Sequence, residues 1–208
     1  MAKVLLINGS PHANGCTATA LKEVARTLEA EGVKTEIVHI GNKAVRGCMA
    51  CGYCREHGKC VFDDIVNEVS PKFVEADAVV LGSPVYYSSP NGNMISFLDR
   101  LFYSNAGKTH MKLGASVVSC RRGGNSSSFD VLNKYFTISS MPIVSSTYWN
   151  QVHGYTEEDV LKDKEGLQTM RNIAHNMAFM LKAFADAKEK YGWPKLEHGT
   201  WTNFHDGK

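Results

Sequence analysis

Cysteine is the residue type whose spacing in this sequence most clearly indicates chemistry. Four of the six cysteines lie in the segment 46–62, as Cys48, Cys51, Cys54 and Cys60. Glycines at three positions of the same segment let the backbone wrap tightly around a central group. Thiolates separated by two residues, as the first three are, suit an iron–sulfur cluster of the [4Fe–4S] type. The segment therefore predicts a metal centre, in which Cys60 closes the same cluster.

Zinc and free thiols are the alternatives to a cluster that the residues alone leave open. Structural zinc sites usually join two distant pairs of cysteines, whereas this segment is one compact run. The other alternative is that the thiols are free or vestigial and bind no metal. They would then remain reduced, because disulfides are rare in a reducing compartment.

A second stretch, residues 3–17, has the features of a phosphate-binding turn. A short apolar run, residues 4–7, precedes residues that end a strand, and Thr17 opens a segment of good helix formers. A helix start presents unpaired N–H groups and a partial positive charge, which attract a phosphate. The side chains of Ser10, Asn14 and Thr17 would complete the cradle. Walker and G-x-G-x-x-G motifs are both absent, and an ordinary strand-to-helix turn is the alternative.

The remaining chain alternates predicted strands and helices within a single domain, 1–208. Strands are predicted at 4–7, 34–40, 78–81, 113–119 and 143–148, and helices at 17–30, 63–73, 93–103, 126–138 and after a capping box formed by Thr156 and Asp159. This alternation predicts an α/β fold with a doubly wound, five-stranded parallel sheet and helices on both faces. A polar tail, 192–208, carries Trp193, Trp201 and Phe204, which are the kind of exposed aromatics that anchor interfaces.

Topology places the predicted ligand site at one edge of this sheet. In the flavodoxin-like order 2-1-3-4-5, ligands bind beyond the carboxyl ends of the strands, at the switch point between strands 1 and 3. The loops that follow those strands, 9–17 and 82–92, are the two that look least like plain connectors. We therefore expect them to form one site.

Composition and charge exclude several classes of protein. Lys and Arg number 23 against 21 Asp and Glu, and no basic stripe occurs, which argues against nucleic acid as a partner. No apolar run reaches the roughly 18 residues of a membrane-spanning helix, and residues 1–8, which run into the first strand, are too short to be a signal peptide. A cytoplasmic protein without membrane contact is expected. The near-zero net charge also argues against a pure electron carrier, which usually presents a strongly charged docking face.

Taken together, these segments resemble the NAD(P)H-dependent FMN reductases and, among them, the iron–sulfur flavoproteins. The resemblance lies in Gly9-Ser10-Pro11 with Asn14 and Thr17, in the run Ser83-Pro84-Val85-Tyr86-Tyr87, in Phe97-Leu98-Asp99-Arg100, and in the cysteine run followed by Asp63-Asp64. It covers most of the chain up to the last helix. It implies a flavodoxin-like fold, bound FMN and a homodimer or homotetramer.

By this resemblance, three loops would hold FMN. The phosphate would contact Ser10, His12, Asn14, Cys16 and Thr17, and the ring would contact Pro84, Val85, Tyr86 and Tyr87 on one side and Cys120, Gly123 and Gly124 on another. His12 and Cys16 depart from the Arg and the small polar residue common at these positions. Arg121, Arg122 and His153 are candidates for contacting an NADPH phosphate or an acidic substrate. No catalytic acid or base is expected, because hydride passes directly between nicotinamide and flavin.

The function implied is an FMN-dependent oxidoreductase. Electrons would come from NAD(P)H or a reduced ferredoxin and pass to a small acceptor, such as a quinone, flavin, nitro or azo compound, by way of the [4Fe–4S] cluster. The alternatives are a reductase without a cluster, whose thiols are free, a non-enzymatic electron carrier, and a zinc-containing structural or sensor protein that binds no flavin.

Overall fold

The computed structural model describes residues 1–200 and Thr202. The predicted tail aromatics Trp201 and Phe204 lie outside these residues. The strands are β1 (Lys3–Asn8), β2 (Lys34–His39), β3 (Ala78–Tyr86), β4 (Ser89–Pro90), β5 (Leu113–Cys120) and β6 (Gln151–His153). The helices are α1 (Cys16–Ala30), α2 (Tyr53–His57), α3 (Ile65–Glu75), α4 (Gly92–Ser104), α5 (Asn125–Ile138), α6 (Glu157–Lys162) and α7 (Lys164–Tyr191).

One parallel sheet organises these elements, and its strand order is β2-β1-β3-β5-β6. Counted along the chain, these five parallel strands follow the predicted 2-1-3-4-5 order. The prediction of five strands missed β4, which pairs antiparallel with the end of β3. The reversal of strand order falls between β1 and β3, so the loops after these strands adjoin. The predicted doubly wound, flavodoxin-like architecture is therefore confirmed.

Each face of the sheet is covered by its own set of helices. Val4 and Leu6 of β1 point to the core beneath α1 and α7, whereas Leu5 and Ile7 point to the core beneath α3, α4 and α5. All four side chains are fully buried. The continuous apolar run of β1 is thus explained by a strand buried on both faces.

Three local predictions differ from the structure. The predicted fifth strand at 143–148 is wrong: only Ile143 forms an isolated bridge, with Gly114, and the strand is β6. The capping box of Thr156 and Asp159 is present, but it starts the short helix α6, after which Asp163 caps α7. The cysteine segment contains the unpredicted one-turn helix α2.

Two further features concern the surface. Trp193 of the tail packs on α7, where its ring meets Phe184 at 6.0 Å between centroids. Within the part of the chain that the structure describes, no helix is both long and apolar enough to cross a membrane.

Candidate functional site

The turn after β1 is held in shape by Asn8. Its side-chain oxygen accepts a hydrogen bond from the Ser10 amide at 3.0 Å, and the Ser10 hydroxyl accepts one from the His12 amide at 3.2 Å. The Gly9 amide donates to the Gly82 carbonyl at 2.8 Å. A Cβ at Gly9 would lie 3.0 Å from that carbonyl oxygen and 2.7 Å from Met94 Sδ. Only glycine therefore allows the loops after β1 and β3 to approach so closely.

Helix α1 begins beyond this turn without a side-chain cap. Gly15 is the N-cap residue, and no side chain accepts from the first-turn amides. These amides and the helix dipole leave a place suited to an anion. The Thr17 hydroxyl lies under the turn, 2.8 Å from the Ser119 hydroxyl near the end of β5. Both residues are buried, so this pair fixes the helix start against the sheet.

Three of the residues predicted to contact the phosphate have side chains that either contact other groups or are exposed. The Cys16 thiol faces the loop after β6, at 3.5 Å from the Gly154 carbonyl oxygen and 3.3 Å from that of Thr156. The Asn14 side-chain oxygen accepts from Lys22 at 3.0 Å. His12 is exposed. Of the five predicted residues, Ser10 and Thr17 are the two that line the floor of the turn.

The loop after β3 is a tight hairpin with an unusual tip. Two residues, Tyr87 (φ 51°) and Ser88 (φ 59°), join β3 to β4. Positive φ at both central positions defines a type I′ turn, which normally uses Asn and Gly. The Tyr87 side chain is fully exposed, and Tyr86 is about half exposed. A tyrosine held in this conformation at an exposed tip is the kind of strain that marks a functional loop.

The hairpin tip rests on the start of α5. The Ser127 hydroxyl donates to the Ser88 carbonyl at 2.7 Å. Gly124 has φ +84°, and a Cβ there would meet Ser88 Cα at 2.8 Å. At Gly123, by contrast, an added Cβ would have no heavy atom within 4 Å. The glycine pair therefore supports the hairpin on one side and leaves open space on the other.

The end of β5 places a thiol beside an imidazole. Cys120 Sγ lies 3.5 Å from His153 Nδ1 at the end of β6. Burial raises the pKa of the Cys120 thiol. Pro84 is the last residue of β3 that pairs with β5, opposite Ser119, so it lies near Cys120 at the end of β5. The three loops predicted to hold FMN thus meet at the carboxyl edge of β1, β3 and β5.

The cysteine segment forms a separate site against α4. Cys48, Cys51, Cys54 and Cys60 all line one small cavity with Arg100. Burial raises the pKa of the Cys54 thiol, and the charges of the other three cysteines raise that pKa further. The structure therefore brings the four predicted ligands together, with Cys48 and Cys51 exposed at the rim.

The four thiols, as the structure places them, do not form a metal site. Within residues 1–200 and 202, no three His, Cys, Asp or Glu side chains are placed to hold one metal ion, as a tetrahedral zinc site requires. A four-iron cluster takes its thiolates from separate corners of a larger body. The space among the cysteines, about 20 Å³, is smaller than such a cluster. Binding of a cluster would therefore require the cysteine segment to rearrange.

Arg100 holds the cysteine segment onto α4. Its side chain is 1% exposed and forms a two-pronged ion pair with Asp64, at 2.7 and 2.8 Å. Its Nε donates to Cys60 Sγ at 3.2 Å, and its other N–H groups donate to the carbonyls of Arg46 and Phe62. All five contacts join α4 to the region 46–64. The planar guanidinium is the side chain that can satisfy so many acceptors at once.

The sequence did not reveal several of these positioning residues. Asn8 and Ser119 act through contacts that only the folded sheet creates. Arg100 was visible in the Phe-Leu-Asp-Arg segment but without a role. Asp64 was predicted as a helix start, and it does cap α3 by accepting from the Val66 amide at 3.1 Å. No local signal pointed to the ion pair, because Arg100 lies 36 residues beyond Asp64 in the sequence.

Comparison with known proteins finds a family and relatives that match most of the chain. The profile of the family described as NADPH-dependent FMN reductase matches residues 2–156. An iron–sulfur flavoprotein of Methanocaldococcus jannaschii is 31% identical over 188 residues, a match that covers 86% of this chain and 97% of that protein.

Solved structures share the architecture at low sequence identity. The structure of RosB with bound 8-demethyl-8-formylriboflavin-5'-phosphate superposes with a TM-score of 0.70 at 12% identity, covering 100% of this chain and 94% of that one. A flavodoxin, WrbA-like protein from Agrobacterium tumefaciens gives a TM-score of 0.61 at 15% identity, covering 88% and 99%. These matches show a common flavodoxin-like fold.

Proposed function

The chain belongs to the NADPH-dependent FMN reductase family, and we propose that it is an FMN-dependent oxidoreductase with an iron–sulfur centre. Electrons from NAD(P)H or a reduced ferredoxin would pass to a small acceptor such as a quinone, flavin, nitro or azo compound. The observation that carries this proposal is the meeting of three loops at the switch point, where Thr17 bonds to Ser119 beneath an uncapped helix start. The names of the relatives support the iron–sulfur part.

The residues present fit an FMN site of three parts. The first-turn amides of α1, with the hydroxyls of Ser10 and Thr17, would hold the phosphate. Backbone groups of 84–87 would meet the ring, and Tyr87 would cover it. The open side of Gly123 leaves room for the ring edge. Bound FMN would supply hydride transfer and one-electron transfer, and the chain's part is to bind it, orient it and exclude water.

The four cysteines would hold the cluster in the cavity against α4. Ligation needs thiolates, so metal binding must displace the protons that burial favours on Cys54. The Arg100 guanidinium already donates to Cys60 Sγ, and the same contact would offset thiolate charge in the loaded protein. The exposed aromatic side chains Tyr148, Trp149, Tyr155 and Phe179 support the further proposal of a homodimer or homotetramer.

A reductase without the cluster is the second candidate. It is favoured by the arrangement of the cysteine segment, because no three His, Cys, Asp or Glu side chains among the described residues are placed to hold one metal ion. Anaerobic purification with separate iron and flavin analysis distinguishes the two. One FMN and four irons per chain support the first candidate, whereas FMN without iron after reconstitution supports the second.

FMN binding is tested by the double variant Ser10→Ala, Thr17→Val. Hydrogen bonds to a charged group contribute about 1.5–3 kcal/mol each, so the loss of two should lower FMN affinity at least about a hundredfold. Thr27→Ala is the matched control, because its hydroxyl bonds within the same helix far from the site. Titration of flavin-free protein with FMN gives the affinities. Equal FMN affinity in the double variant and wild type would overturn the assignment.

The activity is tested by NADPH oxidation in the presence of menadione. Turnover should require FMN and should persist in the double variant Cys51→Ser, Cys54→Ser, because no predicted FMN contact is removed. Reduction by a one-electron donor should slow in that variant. Protein loaded with FMN that shows no NAD(P)H oxidation and no ferredoxin-dependent turnover is a non-enzymatic carrier.

A further inference from the structure

A second cavity lies on the outer side of α4, next to the cysteine segment. Its volume is about 490 Å³, within the roughly 300–1,000 Å³ of small-molecule sites. Its walls come from α4, from the loop after it, from the C-terminal end of α5 and from the tail residues Leu196 and His198. No part of the proposed FMN site lines it.

The walls of this cavity are largely aromatic. Phe102 and Tyr103 come from α4 and Tyr135 from α5, and the Phe102 and Tyr135 rings lie 5.3 Å apart between centroids. Ile138 stands at the end of α5 with 86% of its surface exposed. Aromatic walls on two helices favour a flat aromatic guest, because stacking and the burial of apolar area both stabilise its binding.

The wall carries one carboxylate, which can only accept hydrogen bonds. Asp99 is exposed and accepts from the Tyr135 hydroxyl through Oδ1 at 2.6 Å, which leaves its second oxygen without a described partner. Burial and the Asp99 carboxylate raise the pKa of Tyr135, so this hydroxyl keeps its proton.

The His110 ring is fixed at the cavity wall. Its Nε2 lies 3.0 Å from the Pro194 carbonyl oxygen, which can only accept, so Nε2 carries a ring proton. The other ring nitrogen, Nδ1, is buried, so the acceptor that a guest can reach is the exposed Asp99 carboxylate. A guest that donates a hydrogen bond is therefore favoured over one that only accepts.

We propose that this cavity is a binding site for a planar aromatic molecule that carries a hydroxyl group, such as a phenol or a hydroquinone. Its walls supply the stacking surfaces, and the second carboxylate oxygen of Asp99 supplies the acceptor. Cys48 lines both this cavity and the cysteine cavity, so the guest lies against the cysteine segment and away from the three flavin loops. Binding requires neither FMN nor a cluster.

The test is a calorimetric titration of the purified, FMN-loaded protein with 2-naphthol, with 2-methoxynaphthalene as the analogue that lacks the donor. We expect saturable binding of one 2-naphthol per chain, at least tenfold weaker binding of the methoxy analogue, and no change in the flavin absorbance. Ala106→Trp, which fills the cavity from an exposed position, should abolish binding. Asp99→Asn should weaken it at least threefold.

A matched control separates the cavity from general apolar binding. Leu161 is an exposed aliphatic side chain on α6, outside the cavity, so Leu161→Trp should leave 2-naphthol affinity unchanged. Binding that survives Ala106→Trp, or that shifts the flavin spectrum, would place the guest elsewhere and overturn the proposal. Absence of saturable binding, or equal affinity for both naphthalenes, would also overturn it. None of these outcomes depends on whether the protein oxidises NAD(P)H.

Discussion

Replacing Arg100 with Met tests whether one buried guanidinium holds the cysteine segment in place. The substitution removes five hydrogen bonds and leaves the Asp64 carboxylate without its partner. Breaking a buried ion pair by removing one partner costs about 3–5 kcal/mol. The Asp64 side chain is 30% exposed, so water recovers part of that loss. We therefore expect the free energy of unfolding to fall by about 3 kcal/mol.

The assay is thermal unfolding of iron-free protein, followed by far-ultraviolet circular dichroism. In a chain of this size, 1 kcal/mol shifts the unfolding midpoint by about 2–4 °C, so the midpoint should fall by about 6–12 °C. Arg171→Met is the matched control, because Arg171 pairs with Glu23 from a 40% exposed position. Its loss should cost less than about 1 kcal/mol. Reaction of Cys60 with a disulfide reagent should accelerate only in Arg100→Met.

The pairing itself is tested with Asp64→Asn, which keeps a helix-capping side chain but removes the charge. In a double-mutant cycle, the two substitutions should be strongly non-additive, because each removes the same ion pair. Additive effects, or a free-energy change below about 0.5 kcal/mol in Arg100→Met, would refute the reasoning.

The remaining predictions concern the turn after β1, a helix cap and a buried thiol. Gly9→Ala should destabilise the fold by about 1–3 kcal/mol in urea unfolding, since its Cβ would lie 2.7 Å from Met94 Sδ. Gly92→Ala should have little effect, because a Cβ added there would have no heavy atom within 4 Å. Thr156→Ala should cost about 1 kcal/mol by removing the capping box of α6, and a midpoint unchanged in the same assay would contradict it. Burial raises the pKa of Cys120, and the thiolate is the reactive form of a cysteine. The rate of Cys120 alkylation by iodoacetamide should therefore be slow at pH 8 and should increase as the pH is raised beyond the ordinary thiol range. Peptide mass spectrometry of iron-free protein measures this rate, and a Cys120 that reacts at pH 8 as fast as the exposed Cys48 would exclude it.

The fold was largely predictable because strand and helix patterns alternate clearly along the chain. The last strand is the exception, since residues 143–148 look more like a strand than Gln151–His153 do. The latter segment is a strand because β5 offers it a parallel partner, as Val118 pairs with Gln151. No local pattern contains that information. Similarly, the box of Thr156 and Asp159 correctly indicated a helix start, but not the break at Asp163.

The candidate site was predictable as loops and less so as side chains. Chain topology alone brings the loops after β1, β3 and β5 to one edge. The direction of the Cys16 thiol depends on the loop after β6, and the role of Arg100 depends on how the cysteine segment folds back on α4. Both are contacts between residues far apart in sequence, which spacing and composition do not encode.

The positive φ angles of Tyr87 and Ser88 also have a consequence for protein engineering. Each costs about 1–3 kcal/mol relative to a residue that favours the left-handed region. Exchanging the two for Asn-Gly would therefore raise the melting temperature while removing the exposed ring. Selection for heat resistance alone would favour that exchange. A library designed for thermostability should consequently hold Tyr87 constant, because stability and the proposed flavin contact of Tyr87 place opposite demands on this position.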